Sequence, residues 1–443
     1  LETEQILHVG FDDTDSPKGM CTTFLAYKIV DYLKKQDLEF LDFPKLIRFN
    51  PNIPWKTRGN GAVSLKIKAK NTKKIKNKIK NFVYKYSDTK NGANPGLVFY
   101  ESPNIPSNFT EFSELALWQL INRKEAKKFA EKNNLEIFYK GNGQGLVGAI
   151  GAIGYRFNDH TLELLTYRKP PKFGKKRILS LQSVKEMQNK TFPYTFNSFD
   201  TKKSRVLITP HGPDPVFYGV RGEKIDSLLH ATKILSTKEK LAGHMIFKSN
   251  QGTGDHLKNV LTQTTLKPYS SGIVKGIVSS TPKIGKGGHV FFSITFNDSE
   301  LRCAVYKPTG LNSISLDLIK GDEICVGGGL RKASKIHPRV LNLEFLEIIK
   351  LAKNFVNSNP LCIQCNKKMK SKGKNQEYKC VKCGKSSKSK ILVEIPRKIQ
   401  EKLYIPEISA HRHLTRPQIR VGKINKISKF DDLSLWFSVY NSK

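Results

Sequence analysis

The sequence predicts an α+β multidomain protein: mixed α/β units as far as residue 267, a small β-barrel over 268–352 and a zinc ribbon within 353–443. Three observations predict it. At 443 residues the chain exceeds one ordinary hydrophobic core, and domains of about 100–150 residues make three or four units the expectation. Strand-like and helical periodicities alternate up to Lys267, whereas 271–350 holds only short β-type runs. The spacing Cys362-x2-Cys365-x14-Cys380-x2-Cys383 offers two thiol pairs to one tetrahedral ion.

The first element is an apolar run over 6–11, read as a buried strand, followed by a polar turn and a helix over 21–35. Segments 45–49 and 61–68 alternate as strands around a loop rich in Asn, Pro and Gly, and 75–86 reads as a basic amphipathic helix. The pattern over 112–133 is helical, which closes a first unit at 1–135. A glycine-rich run at 141–154 opens a second unit, 136–267, with strands at 162–168 and 205–210, a loop at 219–223 and a helix at 225–235. Five β-type runs follow, at 272–279, 290–296, 302–306, 323–328 and 340–349. Their number and length fit an OB-fold, with a β-sandwich fragment as the alternative.

Lysine and arginine number 76 against 38 acidic residues, a formal charge of +38. Self-repulsion of that size points to a polyanionic partner, nucleic acid first, with a lysine-rich composition that serves solubility as the plainer alternative. Hydrophobic residues at 38% and aromatics at 10% suffice for folded cores. No run of about 18 apolar residues and no signal-type apolar segment occurs, so neither a membrane span nor secretion is expected, and the cytoplasm is the expected compartment. Outside the four-cysteine cluster, Cys21, Cys303 and Cys325 are expected to be reduced.

The cysteine cluster is crowded by ten lysines between Lys367 and Lys390, so a bound Zn²⁺ would hold a basic surface in shape beside phosphates. A purely structural ribbon is the alternative. At the end of the first strand, Asp12-Asp13-Thr14-Asp15 gathers three carboxylates that repel one another unless a cation such as Mg²⁺ neutralises them; an Asx-rich turn capping the helix is the bland alternative. Lys18, Gly19, Thr22 and Thr23 follow at the helix start, where amides and hydroxyls can face a phosphate. Lys56 and Arg58 in the loop 50–61, and Gly141, Gly143 and Gly145 in the second glycine run, are further candidates for phosphate binding, or else tight turns. Neither loop is a Walker A motif. Arg221, flanked by Gly219 and Gly222, is a candidate transition-state cation or a surface turn.

Taken together, FDDTDSPKGMCTT, NPNIPWKTRGNGAV, GNGQGLVGAIGAIG, FYGVRGE and the barrel with its CxxC…CxxC tail resemble the isoleucine-tRNA 2-agmatinylcytidine synthetase family over nearly the whole chain. The resemblance implies a kinase-like domain, a ferredoxin-like domain, an OB-fold and a zinc ribbon. It also implies an ATP-dependent C–N ligase that joins agmatine to C2 of the wobble cytidine in isoleucine tRNA with a CAU anticodon. ATP would be split to AMP, and the threonine after Met20-Cys21, here Thr22, would accept phosphate. Asp12, Asp13, Asp15, Lys18, Thr22 and Arg221 are then the expected catalytic residues, with Gly19, Thr23, Lys56, Arg58 and the three glycines on ATP. His211, Asp214 and Glu223 lie near enough in the chain to be considered for the agmatine guanidinium. A non-catalytic single-strand-binding protein, or another NTP-dependent RNA-modifying transferase, are the competing expectations. With lysines crowding the ribbon between Lys367 and Lys390, the C-terminal part after residue 350 is expected to act mainly through phosphate contacts, and the sequence assigns no role to the last 50 residues.

Overall fold

The computed structural model describes residues 4–335, 338–374, 376–425 and 435–440. The chain forms two compact units: Leu1–Val274 with Gly327–Glu344 and Ile405–Lys443, and Lys275–Val326 with Phe345–Tyr404. The segment from Ile405 onward, expected to trail from the ribbon, thus belongs to the first unit.

The first unit is built on a sheet that has eleven strands among the described residues. Its main path runs Glu136–Tyr139, Gly96–Glu101, Gln5–Asp12, Gly61–Ala69, Lys45–Arg48, Leu241–Ser249, Thr161–Arg168, Val216–Gly222 and Thr195–Phe196. The two halves of this sheet meet in a parallel pair, Lys248 opposite Lys45 and Ser249 opposite Leu46. Side chains extend that joint: Ser249 Oγ donates to the Leu46 carbonyl at 2.6 Å, and the Asn250 amide bonds both the N–H and the C=O of Arg48 at 2.8 and 3.0 Å. Thr161–Arg168 is buried along its whole length, as a strand covered on both faces must be. One apolar core runs through both halves, from Leu7, Val9 and Phe24 to Leu164, Phe217 and Phe247.

The run LVGAIGAIG is a helix, Leu146–Gly154, and it is apolar all round because it is buried all round. Its glycines allow backbone-to-backbone approach. A Cβ on Gly10 of the first strand would lie 2.1 Å from the Ala149 carbonyl oxygen, and one on Gly154 would lie 2.1 Å from that of Phe109. This helix and the strand Glu136–Tyr139 therefore pack with the N-terminal half, although they follow residue 135.

Three local expectations change. The helical stretch at 112–133 is two helices, Ser107–Trp118 and Arg123–Lys132, because Asn122 caps the second: its side chain accepts from the amides of Lys124 and Glu125, and Glu125 answers by accepting from the Asn122 amide at 2.7 Å. The 219–223 loop is part of the strand Val216–Gly222, which is paired on both sides. Of 205–210 only Arg205–Val206 pairs.

Strands Ser271–Val278, Val290–Phe296, Ser299–Val305, Glu323–Arg331 and Val340–Lys350 close a five-stranded barrel, the first pairing with both the fourth and the second. In the second unit Arg397 makes a bidentate pair with the fully buried Asp322 at 2.7 and 2.8 Å and also donates to the Ala352 and Asp317 carbonyls, which fastens the chain leaving the cysteine region. None of the described helices is long and apolar enough to cross a membrane.

Gly10→Ala is expected to destabilise the first unit by about 1–3 kcal/mol or more, because backbone and not a movable side chain meets the new methyl. Thermal denaturation with the variant at the wild-type midpoint would contradict the packing described.

Candidate functional site

A cavity of about 580 Å³ opens in the first unit. Its floor is the end of the first strand. Asp12 Oδ1 accepts from the Asp13 amide at 2.7 Å, and Asp13 turns the chain with φ +54. Burial, with the neighbouring Asp15 carboxylate adding to it, pushes the Asp12 carboxyl up to about 7. Burial and the charges of Asp12 and Asp15 push Asp13 up to about 8. Asp15 is treated differently. Thr57 Oγ1 donates to it at 2.9 Å and Arg58 lies 3.4 Å away, although burial still raises its proton affinity overall.

Among the described residues the three aspartates do not converge on one point as a ligand set. The expected Asp12–Asp13–Asp15 metal site therefore reduces to the pair Asp12 and Asp13, because Asp15 is held by Arg58. That pair fits a hard divalent cation such as Mg²⁺: two oxygen donors, mutually repelling, in a buried place where charge is costly.

Thr22 and Thr23, both buried, line the cavity at the start of the helix Thr22–Leu33. Cys21, in the cap position, makes no side-chain cap bond, and while the Phe24 amide bonds the Cys21 carbonyl at 3.0 Å, the amides of Thr22 and Thr23 can face an anion. Thr14 Oγ1 donates to Thr22 Oγ1 at 3.0 Å and fixes that hydroxyl. Lys18 and Gly19 are not in the wall; they form the tip of a tight hairpin closed by Ser16 N–H to Gly19 O at 3.0 Å, with Lys18 exposed.

Lys56 and Arg58 both line the cavity, but Arg58 is a strut. It donates to the Met20 and Ser16 carbonyls at 2.8 and 3.2 Å and lies within 3.7 Å of Asp214. Gly141, Gly143 and Gly145 stand outside the wall, which Gln144, Val147 and Gly148 supply instead. Gly145 is needed for packing, since a Cβ there would sit 2.4 Å from the Gly96 nitrogen. Gly145 is thus required by close packing, and Gly141 and Gly143 by their positive φ. His211 and Asp214 line the cavity, whereas Glu223 is outside it, accepting from Arg420 Nε at 3.0 Å.

Arg221 reaches the cavity from its strand. Its Nε lies 3.3 Å from Glu163 Oε1 and its Nη2 2.8 Å from His413 Nδ1. Glu163 is buried, with Arg48 3.7 Å away on its other oxygen and the Gln251 amide donating to it. His413 belongs to the chain beyond the ribbon. Burial and the positive charges of Arg48, Arg221 and Lys56 drive its pKa well below the usual histidine value, so the ring is neutral at physiological pH. His411 bonds Asn197 at 3.1 Å and the Pro406 carbonyl at 2.9 Å.

Arg48, Glu163, His411 and His413 escaped the sequence reading. A signal existed for one of them, an acid in the otherwise apolar run TLELL. The pair of histidines in HRH gave no hint of its distant partners.

What holds His413 in place is a buried ion cluster. Asp159 accepts from Arg420 Nη2 at 2.7 Å and from Arg416 Nη2 at 2.9 Å, and the amides of Gly252 and Gly254 bond the carbonyls of His413 and Leu414 at 2.9 and 2.8 Å. Farther on, Phe437–Val439 pairs with Leu241–Ser249, and Trp436 is fully buried. Beyond the ribbon, Ile408, Ser409, His411 and His413 supply part of the cavity wall.

In the second unit the sulfurs of Cys362, Cys365, Cys380 and Cys383 lie within 4.8 Å of one another, and Cys362 Sγ to Cys383 Sγ is 3.4 Å. Four thiolates about 2.3 Å from one Zn²⁺ need such a cage. Its two knuckles are alike: Cys362 N–H bonds Lys367 O and Cys380 N–H bonds Lys385 O, with Asn366 and Gly384 at positive φ in equivalent places. The amides of Cys383 and Lys382 draw the Cys380 thiol down to about 6, which favours the thiolate that a metal needs.

One zinc per chain is the expected result of elemental analysis, with Cys380→Ser losing it; zinc-free protein would refute the cage. Asp159→Ala is expected to leave Arg416 without an acidic partner and Arg420 with Glu223 alone, at a cost of about 3 kcal/mol. Its readout is faster amide exchange over 405–425, and unchanged protection there would refute the anchoring role.

Three family signatures match the chain: the TiaS TCKD domain over residues 8–74, the TiaS FLD domain over 143–256 and the TiaS C-terminal zinc ribbon domain over 359–399. The isoleucine-tRNA 2-agmatinylcytidine synthetase TiaS of Cenarchaeum symbiosum is 45% identical over 436 residues, 98% of this chain and 97% of that protein. Among solved structures, a complex of TiaS with isoleucine tRNA and ATP matches with a TM-score of 0.84 at 33% identity, covering 94% of this chain and 97% of the other. A complex of TiaS with isoleucine tRNA, AMPCPP and agmatine matches with a TM-score of 0.83 at 31% identity, covering 96% and 99%. With relatives this similar along nearly its full length, the chain belongs to the isoleucine-tRNA 2-agmatinylcytidine synthetase family, TiaS.

Proposed function

We propose that this chain uses ATP to conjugate agmatine to C2 of the wobble cytidine of isoleucine tRNA with a CAU anticodon, giving agmatidine. The observation that carries it is a cavity in which a carboxylate pair, a helix N-terminus bearing Thr22 and a cationic wall meet, in a chain whose relatives are named for this reaction. The C2 oxygen of cytosine is a poor leaving group. Phosphorylating it first lets the primary amine of agmatine attack C2 and expel the oxygen as phosphate, the amine losing its protons in the process. A wobble base lies in a single-stranded loop and can leave its stack at modest cost to enter such a cavity.

In the cavity, Asp12 and Asp13 would hold Mg²⁺, which would supply positive charge to offset that of the phosphates. The amides of Thr22 and Thr23 would bind phosphate oxygens, and Thr22, in the cavity wall, is read as the phosphate acceptor. Arg221, kept in position by Glu163, offers positive charge to the developing phosphate charge, and Asp214 and His211 stand where a guanidinium could be held. The names kinase-like, ferredoxin-like and OB-fold for 1–135, 136–267 and 268–352 belong to this reading, as does a cytoplasmic location. The ribbon's lysines are read as contacts to tRNA phosphate.

Mass analysis of nucleosides from the cognate tRNA tests the reading. Agmatidine is expected only with both ATP and agmatine present, together with AMP release. A protein that binds tRNA but turns over no ATP would be the single-strand binder instead.

The raised carboxyls add a pH prediction. Below about 7–8 Asp12 and Asp13 hold protons that a cation must displace, so Mn²⁺ affinity should rise as pH increases from about 6 to about 8. By linkage, the cation-free fold loses stability as pH rises from the ordinary value of 3.8 through the folded values of about 7 and about 8, because the folded state binds those protons more tightly. Asp13→Asn should flatten both trends and abolish ATP cleavage while leaving tRNA affinity nearly unchanged.

A further inference from the structure

Trp55 has no part in the chemistry above, yet it stands in the cavity wall with 47% of its surface open. Trp436 is fully buried and Trp118 half-buried. A large indole left in water beside a polar cavity forgoes burial that would favour folding, and such rings recur where proteins stack unpaired bases.

The loop that carries Trp55 is rigidly built. Asn50, fully buried, accepts from the Asn52 amide at 3.0 Å and Ser271 Oγ at 2.9 Å, and donates to the Tyr269 carbonyl at 2.8 Å. Its own carbonyl accepts from Asn60 Nδ2 at 2.8 Å, which ties the two ends of the loop together. Gly59 presses so close to the His413 ring that a Cβ would come within 2.5 Å of it. A platform held this way loses little freedom when a ligand stacks on it.

Charge indicates which ligand. Lys56, next in sequence, forms no ion pair among the described residues; its Nζ reaches only the Arg58 carbonyl at 3.5 Å. Arg412, bonded to Asn52 at 2.8 Å and paired with Glu344 at 3.1 Å, still adds to the positive field at Lys56. The charge of Lys56, unmatched by an acid among the described residues, lies beside an aromatic face. A base with its own flanking phosphates satisfies both features.

Resting on the proposed function, we infer that Trp55 is a stacking platform for an unstacked nucleobase of the tRNA anticodon loop, with Lys56 and Arg412 meeting the adjoining phosphates. Trp55→Ala should raise KM for tRNA about 5- to 150-fold, the range for loss of one base stack. Trp55→Phe should recover most of that, and KM for ATP and the melting temperature should stay at wild-type values in both. An intrinsic probe separates the two possible bases. The fluorescence component that Trp55→Phe removes should be quenched by an anticodon stem-loop and left unchanged by ATP alone. Quenching by ATP alone would make Trp55 an adenine platform and overturn the inference, as would an unchanged KM for tRNA in Trp55→Ala. Wild-type protein assayed alongside keeps the two claims apart: if it forms agmatidine while Trp55→Ala is unaffected, only the platform fails, whereas absence of agmatidine from wild type refutes the proposed function itself.

Discussion

The close approach of the helix Leu146–Gly154 to the strand Gln5–Asp12 is the constraint on which the site depends. Gly10 lets the Ala149 carbonyl come down onto the strand, and Gly148 leaves room for the Asp12 carboxylate, where a Cβ would lie 1.9 Å from Oδ2. A side chain at Gly10 would meet backbone and push the helix off the sheet, whereas one at Gly148 would displace the Asp12 carboxylate. The helix thereby buries Asp12, and burial is the first cause of the raised proton affinity of Asp12 and Asp13. One packing contact thus sets both the shape and the electrostatics of the cavity floor.

The opposite wall is organised by buried acids instead of glycine. Glu163 lies between Arg48 and Arg221, while Asp159 gathers Arg416 and Arg420. In each case an unpaired member would be costly, so the pairings specify where strand and tail must sit. Through Asp159 the chain returning from the second unit brings His411 and His413 to a cavity whose floor was laid down at the N-terminus.

Features set by near neighbours in the chain were legible in the sequence. The first strand, the helix after it, the β-type runs of the barrel and the CxxC pairs all rest on spacing within a few residues, and the structure has each of them. The Asn122–Glu125 capping box was equally local and was passed over. Arg221 was misplaced because glycines on either side read as a turn, whereas two antiparallel neighbours, Thr161–Arg168 and Thr195–Phe196, hold that segment as a strand. The glycine run showed its composition but not its partner, the strand Gln5–Asp12 on which its helix packs. The tail was least legible, since every bond that positions His413 joins it to residues far away in the chain, and no periodicity records such a pairing.

Gly148→Ala tests most directly whether helix packing makes the site. The methyl would collide with the Asp12 side chain, which can rotate away, and not with backbone, so the melting temperature should fall little while ATP cleavage is lost. Loss of divalent-cation affinity should accompany it. Full ATP cleavage and cation binding by a Gly148→Ala protein would contradict the account, because the acid pair would then not depend on the space that glycine leaves.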